Sequence, residues 1–450
     1  MRILVDICVF DLRNKGNIAM LQTAVKRIRE YWPNASVEIL TVGPLLLKYY
    51  FPDCVPVNPY GQQNSLSWNA LQKNFHLISA PIWRRTFELR DSVRQFRSGW
   101  AMKQTNRGFN VTSNQAILIQ KQELAKTTNT MGVSSDAPDV LSTEFMNEID
   151  LFIAVGGHYL SDPVKNSALQ TLERLEQASR RGIPTALVGQ GMGPFEDQEL
   201  LKKTKDVLPK VDLILVREKN FAPHFLESIG VSKNRILLTG DDAVEMAYQA
   251  RSDLINRSNI GIGIRVASSS EVSIDHLQVI KPVLDMATTK YHAKFTPLPI
   301  SDSVYESETD EKAIQKLLAG HLSKNWHVRP YHFPIDIINL VSECRIVVTG
   351  AFHPAVFALA QGIPAVCLAK SAHYFNKLSG LADIFEKGCQ VIMLDDKRVK
   401  EKLEGAIDYA WVHAEELRPQ LLESARCQIE WGHAGYHRIF ELVESRKGKS

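Results

Sequence analysis

The chain has 450 residues, 44% hydrophobic and 23% charged, with a formal net charge of +3. That composition is ordinary for a folded globular protein and excludes a disordered or fibrous chain. The length exceeds one ordinary core and calls for two domains plus insertions, while the small charge excess carries no nucleic-acid signature.

A strand is expected at Ile3–Phe10, with no signal-peptide pattern before it. The loop DLRNKGN leads into a helix from about Ile18 to Tyr31, and a second strand follows at Val37–Val42. Gly16 and Asn17 fall at the loop-to-helix join, where backbone N–H groups can meet a ligand. The spacing is not GxGxxG, so on these residues alone a plain βα turn is the stronger reading.

Residues from about 60 to 140 are polar and poor in strand pattern, and read as an insertion. Within it, Ile82 to Trp100 has apolar Ile82, Trp83, Phe87, Val93, Phe96 and Trp100 among five arginines. Such an amphipathic helix suits a membrane face or an anionic, lipid-linked acceptor. Its ordinary role is to pack on the domain with its arginines in water.

The α/β pattern resumes with strands at Leu151–Val155, Thr185–Val188, Asp212–Val216 and Arg235–Thr239. They end respectively in Gly156-Gly157-His158, the loop GQGMGPF, Arg217-Glu218 and Gly240-Asp241-Asp242. In a doubly wound sheet such endings gather on one edge, and glycines there let a backbone approach a ligand closely. Gly156, Gly157 and Gly191 are therefore binding candidates. Asp241 and Asp242 suit a cation or hydroxyls, though a helix N-cap is the commoner role for such a pair.

A polar linker at Gln249–Asn259 introduces the second half. Strands are expected at Ile260–Arg265, Lys294–Ile300, Arg345–Val348, Ile363–Leu368 and Val391–Leu394. Helices are expected at Asp275–Thr289, Asp310–Leu317 and Pro354–Gln361, and from Arg398 to Val443. Between Leu368 and Val391 the segment AKSAHYFNKLSGL reads as a loop. His353 sits where a strand hands over to a helix N-terminus, the edge at which open α/β sheets bind ligands and favour anions. The competing reading is a histidine packed under a tight turn.

These elements predict an α/β fold of two Rossmann-like domains facing a cleft. Residues 1–250 form the first, 258–412 the second, and helices at 413–450 bridge back. Six dispersed cysteines without CxxC spacing read as buried free thiols of a cytoplasmic protein, not as disulfides or a zinc site. No metal-ligand spacing appears, and no apolar run is long enough to cross a bilayer.

Taken in order, GNIAMLQTAV, IAVGGHYLSD, VGQGMGPF, DLILVRE, LTGDDAVEMA, VVTGAFHPAVFALAQGIP and SAHYFNKLSGL resemble the polysaccharide pyruvyl transferases. The resemblance spans most of the chain outside about 60–140 and the C-terminal tail. It implies an architecture similar to GT-B glycosyltransferases. The implied reaction moves a pyruvyl group from phosphoenolpyruvate to a sugar hydroxyl of a polysaccharide or its precursor, closing a pyruvate ketal. No cofactor is implied beyond phosphoenolpyruvate as donor substrate.

The resemblance makes His353 and Arg217 the catalytic candidates. Where the family's first helix often begins Gly-Asp, this chain has Gly16-Asn17. Where members carry Arg-Leu-His, it reads Ala351-Phe352-His353 and lacks the arginine. A donor with a phosphate and a carboxylate needs fixed cations. Arg265 and Lys377 are the candidates to replace the missing one. His353 suits a general acid or base, or a hydrogen-bond donor to phosphate. The alternatives are a GT-B-type glycosyltransferase using a nucleotide sugar and a non-catalytic glycan- or nucleotide-binding protein.

Overall fold

The computed structural model describes residues 1–7, 12–59, 141–252, 257–267, 270–302, 309–322 and 333–448. The expected insertion at about 60–140, its amphipathic stretch at 82–100, and Cys8 lie outside the described residues.

The first sheet contains β1 (Arg2–Asp6), β2 (Ser36–Leu40), β3 (Val55–Val57), β4 (Leu151–Leu160), β5 (Thr185–Met192), β6 (Leu213–Val216) and β7 (Ile236–Leu238). Their order is β3-β2-β1-β4-β5-β6-β7, and every pairing is parallel. The second contains β8 (Asn259–Gly263), β9 (Lys294–Pro297), β10 (Cys344–Thr349), β11 (Ala365–Ala369) and β12 (Cys389–Met393). It is also parallel, in the order β12-β11-β10-β8-β9. Parallel strands need helical crossovers that cover both faces, so these strands are short continuous apolar runs. Ile3, Leu4 and Val5, and likewise Ile346 and Val347, are fully buried.

Each sheet has one point where strand order reverses direction: between β1 and β4, and between β8 and β10. The crevice beyond the strand carboxyl ends at such a point is where open α/β sheets hold ligands. Helix α1 (Lys15–Tyr31) follows β1, and Asn14 caps it by accepting from the amides of Gly16 and Asn17. The two halves touch here, through the antiparallel bridge of Asn14 with Ser301 and the bond from Lys15 N to Ile300 O.

Four further helices matter for the site: α2 (Ala222–Ser228), α3 (Ala243–Gln249), α4 (Phe352–Ala360) and α5 (Ala372–Phe385). The long final helix α6 (Ala414–Lys447) packs on α1 and α3 of the first half and on α4 and α5 of the second.

Three expectations are corrected. Leu151–Val155 does not end at the glycines: β4 runs on to Leu160, so Gly156, Gly157 and His158 are strand residues. Likewise β5 continues to Met192 and contains Gly191. Pairing between the two strands carries both past their apolar stretch, with Gly157 opposite Gln190 and Leu160 opposite Met192. The segment read as a loop after Leu368 is α5, started by the Ser371 hydroxyl accepting from Tyr374 N. Lys377 thus stands on a helix. Its apolar residues Tyr374, Leu378, Leu381 and Phe385 recur at helical spacing and are buried.

Candidate functional site

Alternation at the end of β6 builds the first part of the site. Arg217 and Glu218 are adjacent and serve opposite ends of the turn. The Glu218 carboxylate accepts from the amides of Asn220, Phe221 and Ala222 at 2.8, 2.8 and 2.5 Å, holding the start of α2. Arg217 turns the other way and is 5% exposed. Its Nη1 donates to Asp241 Oδ2 at 3.1 Å, while Nη2 is buried without a partner. Burial lowers the guanidinium below its ordinary pKa, and Asp241 opposes that shift.

The two aspartates divide their work. Asp241 serves the site, its other oxygen accepting from Ala243 N at 2.9 Å. Asp242 occupies the N-cap position of α3 but makes no cap bond there. It pairs with Arg27 instead.

His353 lies in the first turn of α4, buried, and comes to rest on α1 of the other half. A Cβ at residue 16 would lie 1.9 Å from both Cγ and Nδ1 of its ring. Glycine at position 16 is therefore a requirement of close packing, and its amide is taken by Asn14 Oδ1, as is that of Asn17. The expectation that Gly16 and Asn17 offer free backbone donors to a ligand is corrected: the N-cap satisfies them. His353 Nε2 is buried without a partner. Burial, then Lys377, Arg217 and Arg265, hold the imidazole well below its ordinary pKa, so it is neutral at neutral pH.

Gly16→Ala is expected to push that ring aside. Overpacking of this kind costs about 1–3 kcal/mol. Activity should fall more than the melting temperature explains, as a comparison of activity per folded molecule checks.

Lys377 and Arg217 both lie against the Phe352 ring, 4.9 and 4.3 Å from its centroid. The Lys377 ammonium has no hydrogen bond or ion pair among the described residues. Burial lowers its pKa well below the usual lysine value, and Arg217 and Arg265 lower it further. Arg265, two residues beyond β8, stands 4.0 Å from Asp310. Ala351, at the position of the absent arginine, is buried and contributes no side-chain cap to α4. Three cations thus act on one another and on His353, from the ends of β6 and β8 and from α5.

Two residues here were quoted in the sequence without being singled out. His158 on β4 and His373 on α5 face each other from the two halves, rings perpendicular and 4.8 Å apart. His158 Nε2 binds the Gly193 carbonyl at 2.7 Å. Nothing in their spacing marks them, since their elements meet only in the folded chain. Gly191 lets His158 and Arg217 pack closely on β5: a Cβ there would lie 2.4 Å from His158 Nδ1 and 2.8 Å from Arg217 Nε. Asn17 and Gly156 line a small cavity at the β1/β4 reversal. Gly157 packs on the Tyr159 ring. A shallow groove lined by Val283, Met286 and Ile407 shares no residue with this cluster.

Burial, then Lys377, lowers His373 to about 3. Its folded pKa is depressed below the ordinary 6.5, so its contribution is fully present above pH 6.5 and is lost as pH falls toward 3. The melting temperature should decline over that window, and His373→Gln should flatten the decline.

A model of the family described as polysaccharide pyruvyl transferase matches residues 14–371. The chain belongs to that family. No curated protein matches it. Among solved structures, a putative UDP-N-acetylglucosamine 2-epimerase from Listeria monocytogenes aligns with a TM-score of 0.52 and 10% identity, covering 100% of this chain and 97% of that one. The UDP-GlcNAc 2-epimerase of Neisseria meningitidis gives 0.51 and 13%, with 100% of both chains covered. A UDP-glucose:anthocyanidin 3-O-glucosyltransferase in complex with UDP gives 0.50 and 10%, with 99% of both covered. At these identities the likeness concerns the fold, that of GT-B glycosyltransferases and epimerases. In this pyruvyl transferase family member, no described helix is long and apolar enough to cross a membrane. No group of three or more described His, Cys, Asp or Glu residues could hold a metal ion.

Proposed function

We propose that this protein transfers a pyruvyl group from phosphoenolpyruvate to a sugar hydroxyl of a polysaccharide or its precursor, forming a pyruvate ketal. The observation that carries the reading is the convergence of Arg217, Lys377 and Arg265 around His353, with an unpaired Lys377 ammonium and a bare Arg217 Nη2. One buried and two half-buried cations, sharing Asp241 and Asp310 as counter-charge, favour a multiply charged anion. A phosphate and a carboxylate on one small donor supply that charge. Lys377 takes the place of the arginine that Ala351 lacks.

Burial is the first cause of the histidine's depressed pKa and the cations add to it; anion binding offsets that second contribution. The imidazole pKa then rises, and His353 becomes able to carry a proton to the methylene carbon of the donor. The acceptor is a glycan or lipid-linked sugar. Nucleic acid has no role, and membrane contact through 82–100 belongs to the same proposal. The protein acts in the cytoplasm.

The test is titration with phosphoenolpyruvate, followed by incubation with a glycan panel read by phosphate release and mass gain. Lys377→Ala should weaken phosphoenolpyruvate at least about tenfold, as expected for loss of one charged hydrogen bond. Thermal protection by UDP- or GDP-sugars in place of phosphoenolpyruvate would favour the nucleotide-sugar reading, to which the fold is equally suited. Binding without turnover would favour a non-catalytic protein.

A further inference from the structure

We infer that Phe352 is a positioning residue for donor binding: its ring seats the Lys377 ammonium, with the Tyr374 ring as a second wall, and holds it beside Arg217 with its charge uncancelled. The inference rests on the pyruvyl-transfer reading and names the device that readies Lys377 for the donor.

The difficulty it resolves is one of like charge. The Arg217 guanidinium lies 4.3 Å and the Lys377 ammonium 4.9 Å from the Phe352 ring centroid. Two cations against one ring repel each other. Phe352 is also the first residue of α4, where the positive end of the helix dipole opposes both. Arg217 has a carboxylate to offset this, that of Asp241. Lys377 has no hydrogen bond or ion pair among the described residues. It has rings instead. Phe352 and Tyr374 stand 4.9 and 5.2 Å from its nitrogen, both within the reach at which a ring quadrupole attracts a cation.

The seat is built to be rigid. Tyr374 precedes Lys377 by three positions on α5, so the helix sets both on one face. Phe352 comes from α4, a separate element. The two aromatic residues are each 5% exposed, whereas Lys377 is only half-buried. Fixing a lysine side chain at the moment of binding costs rotamer freedom. Packed against two buried rings, this one is already ordered in the folded chain.

A carboxylate partner and an aromatic seat differ in what they leave for a ligand. A carboxylate cancels the lysine charge and competes with an incoming anion. A ring carries no net charge. It holds the ammonium by its quadrupole and leaves the positive charge and the N–H donors to meet a phosphate or carboxylate oxygen.

The test uses the full chain with carbon-13 in its lysine side chains. In further preparations Phe352 is replaced by phenylalanine analogues with one, two and three ring fluorines, which weaken the quadrupole stepwise at nearly constant shape. In the free wild type the Lys377 Hε protons, assigned with Lys377→Arg, should be shifted upfield by ring currents. Phe352→Leu should remove most of that shift. Phosphoenolpyruvate affinity should fall with each added fluorine, and roughly 3- to 30-fold in Phe352→Leu, the range of a desolvated cation–π contact. In a Lys377→Met background the dependence on fluorine should shrink by about half or more, since the ring then acts on Arg217 alone. Affinity that ignores the fluorines would overturn the inference, as would an undiminished dependence in Lys377→Met, or Hε protons without an upfield shift in the wild type. If Phe352→Leu fails to fold, the fluorinated series still decides, because it keeps the shape of the ring. Failure of the wild type to bind phosphoenolpyruvate would remove the pyruvyl-transfer reading. It is told apart from failure of the seat by the ring-current shift, which needs no ligand.

Discussion

Arg217→Ala is expected to abolish measurable donor binding. Truncating one member of a buried, hydrogen-bonded charge pair costs about 2–5 kcal/mol, or roughly 30-fold to several thousandfold in affinity. The guanidinium is buried, held by Asp241 at one nitrogen, and bare at another. Removing it deletes the fork that meets an oxyanion and strands the Asp241 carboxylate beside the site, which repels the donor further. Lysine restores charge but only as a point, so Arg217→Lys should recover a minor part. Titration of phosphoenolpyruvate into each variant checks this. A dissociation constant within threefold of wild type in the alanine variant would remove Arg217 from the donor site.

The largest effect on stability is expected from Arg27→Ala. Arg27 is 2% exposed on α1 and joins three helices. Its Nη1 donates to Asp242 at 2.6 Å, and its Nε and Nη2 to Glu245 at 3.0 and 2.8 Å. The Tyr436 ring of α6 lies 5.3 Å from its guanidinium carbon. Breaking such a buried pair from one side costs about 3–5 kcal/mol, because the carboxylates stay behind.

A pH dependence follows. Burial raises Asp242 to about 6 even with Arg27 present. Without the arginine its pKa climbs further, so the cost of keeping it ionised grows. For an acid whose folded pKa is raised, the penalty is full above that pKa and vanishes below the unfolded value near 3.8. The deficit of Arg27→Ala should therefore be greatest above pH 6 and shrink toward pH 4. Urea unfolding at pH 7.5 and 4.5 reads it directly. An equal deficit at both values would mean that Asp242 is not the group left exposed to the loss.

The same network touches function at one remove. Asp242 neighbours Asp241, which holds Arg217. Helix α6, seated on both halves, contributes Tyr436 to it, with the hydroxyl 3.5 Å from Asp242. The final helix thus braces the loop whose Asp241 holds Arg217.

Local order was legible in the sequence wherever neighbouring residues decide the backbone. The strand Arg345–Val348, the turn at Gly350 and the helix after it are recognisable because β-branched runs, glycine breaks and a first-turn proline act within a few residues. They place His353 at a strand-to-helix junction with no knowledge of the rest. Strand ends were less legible. Gly156 and Gly191 look like loop residues by composition, and only pairing between β4 and β5 keeps them extended. The helical state of the segment around Lys377 was missed for a related reason: its glycine, serine and asparagine mask a buried apolar stripe that only packing makes plain.

What the sequence by itself determined is the two-fold α/β pattern and the family it belongs to. It also places a histidine and an arginine, His353 and Arg217, just beyond strand ends. The tertiary structure alone decided that Gly16 is a seat for His353, that the amides of Gly16 and Asn17 are spent on Asn14, and that His158 meets His373. Those relations join residues whose separation along the chain is long, brought together by sheet order and by the contact of two halves. Hydrophobic periodicity specifies which face of an element is buried, but not which distant element covers it. The charge balance of the site has the same origin. Three cations come to act on one another only when the ends of β6 and β8 and helix α5 are folded together, where a low-dielectric surrounding makes each charge depend on its neighbours.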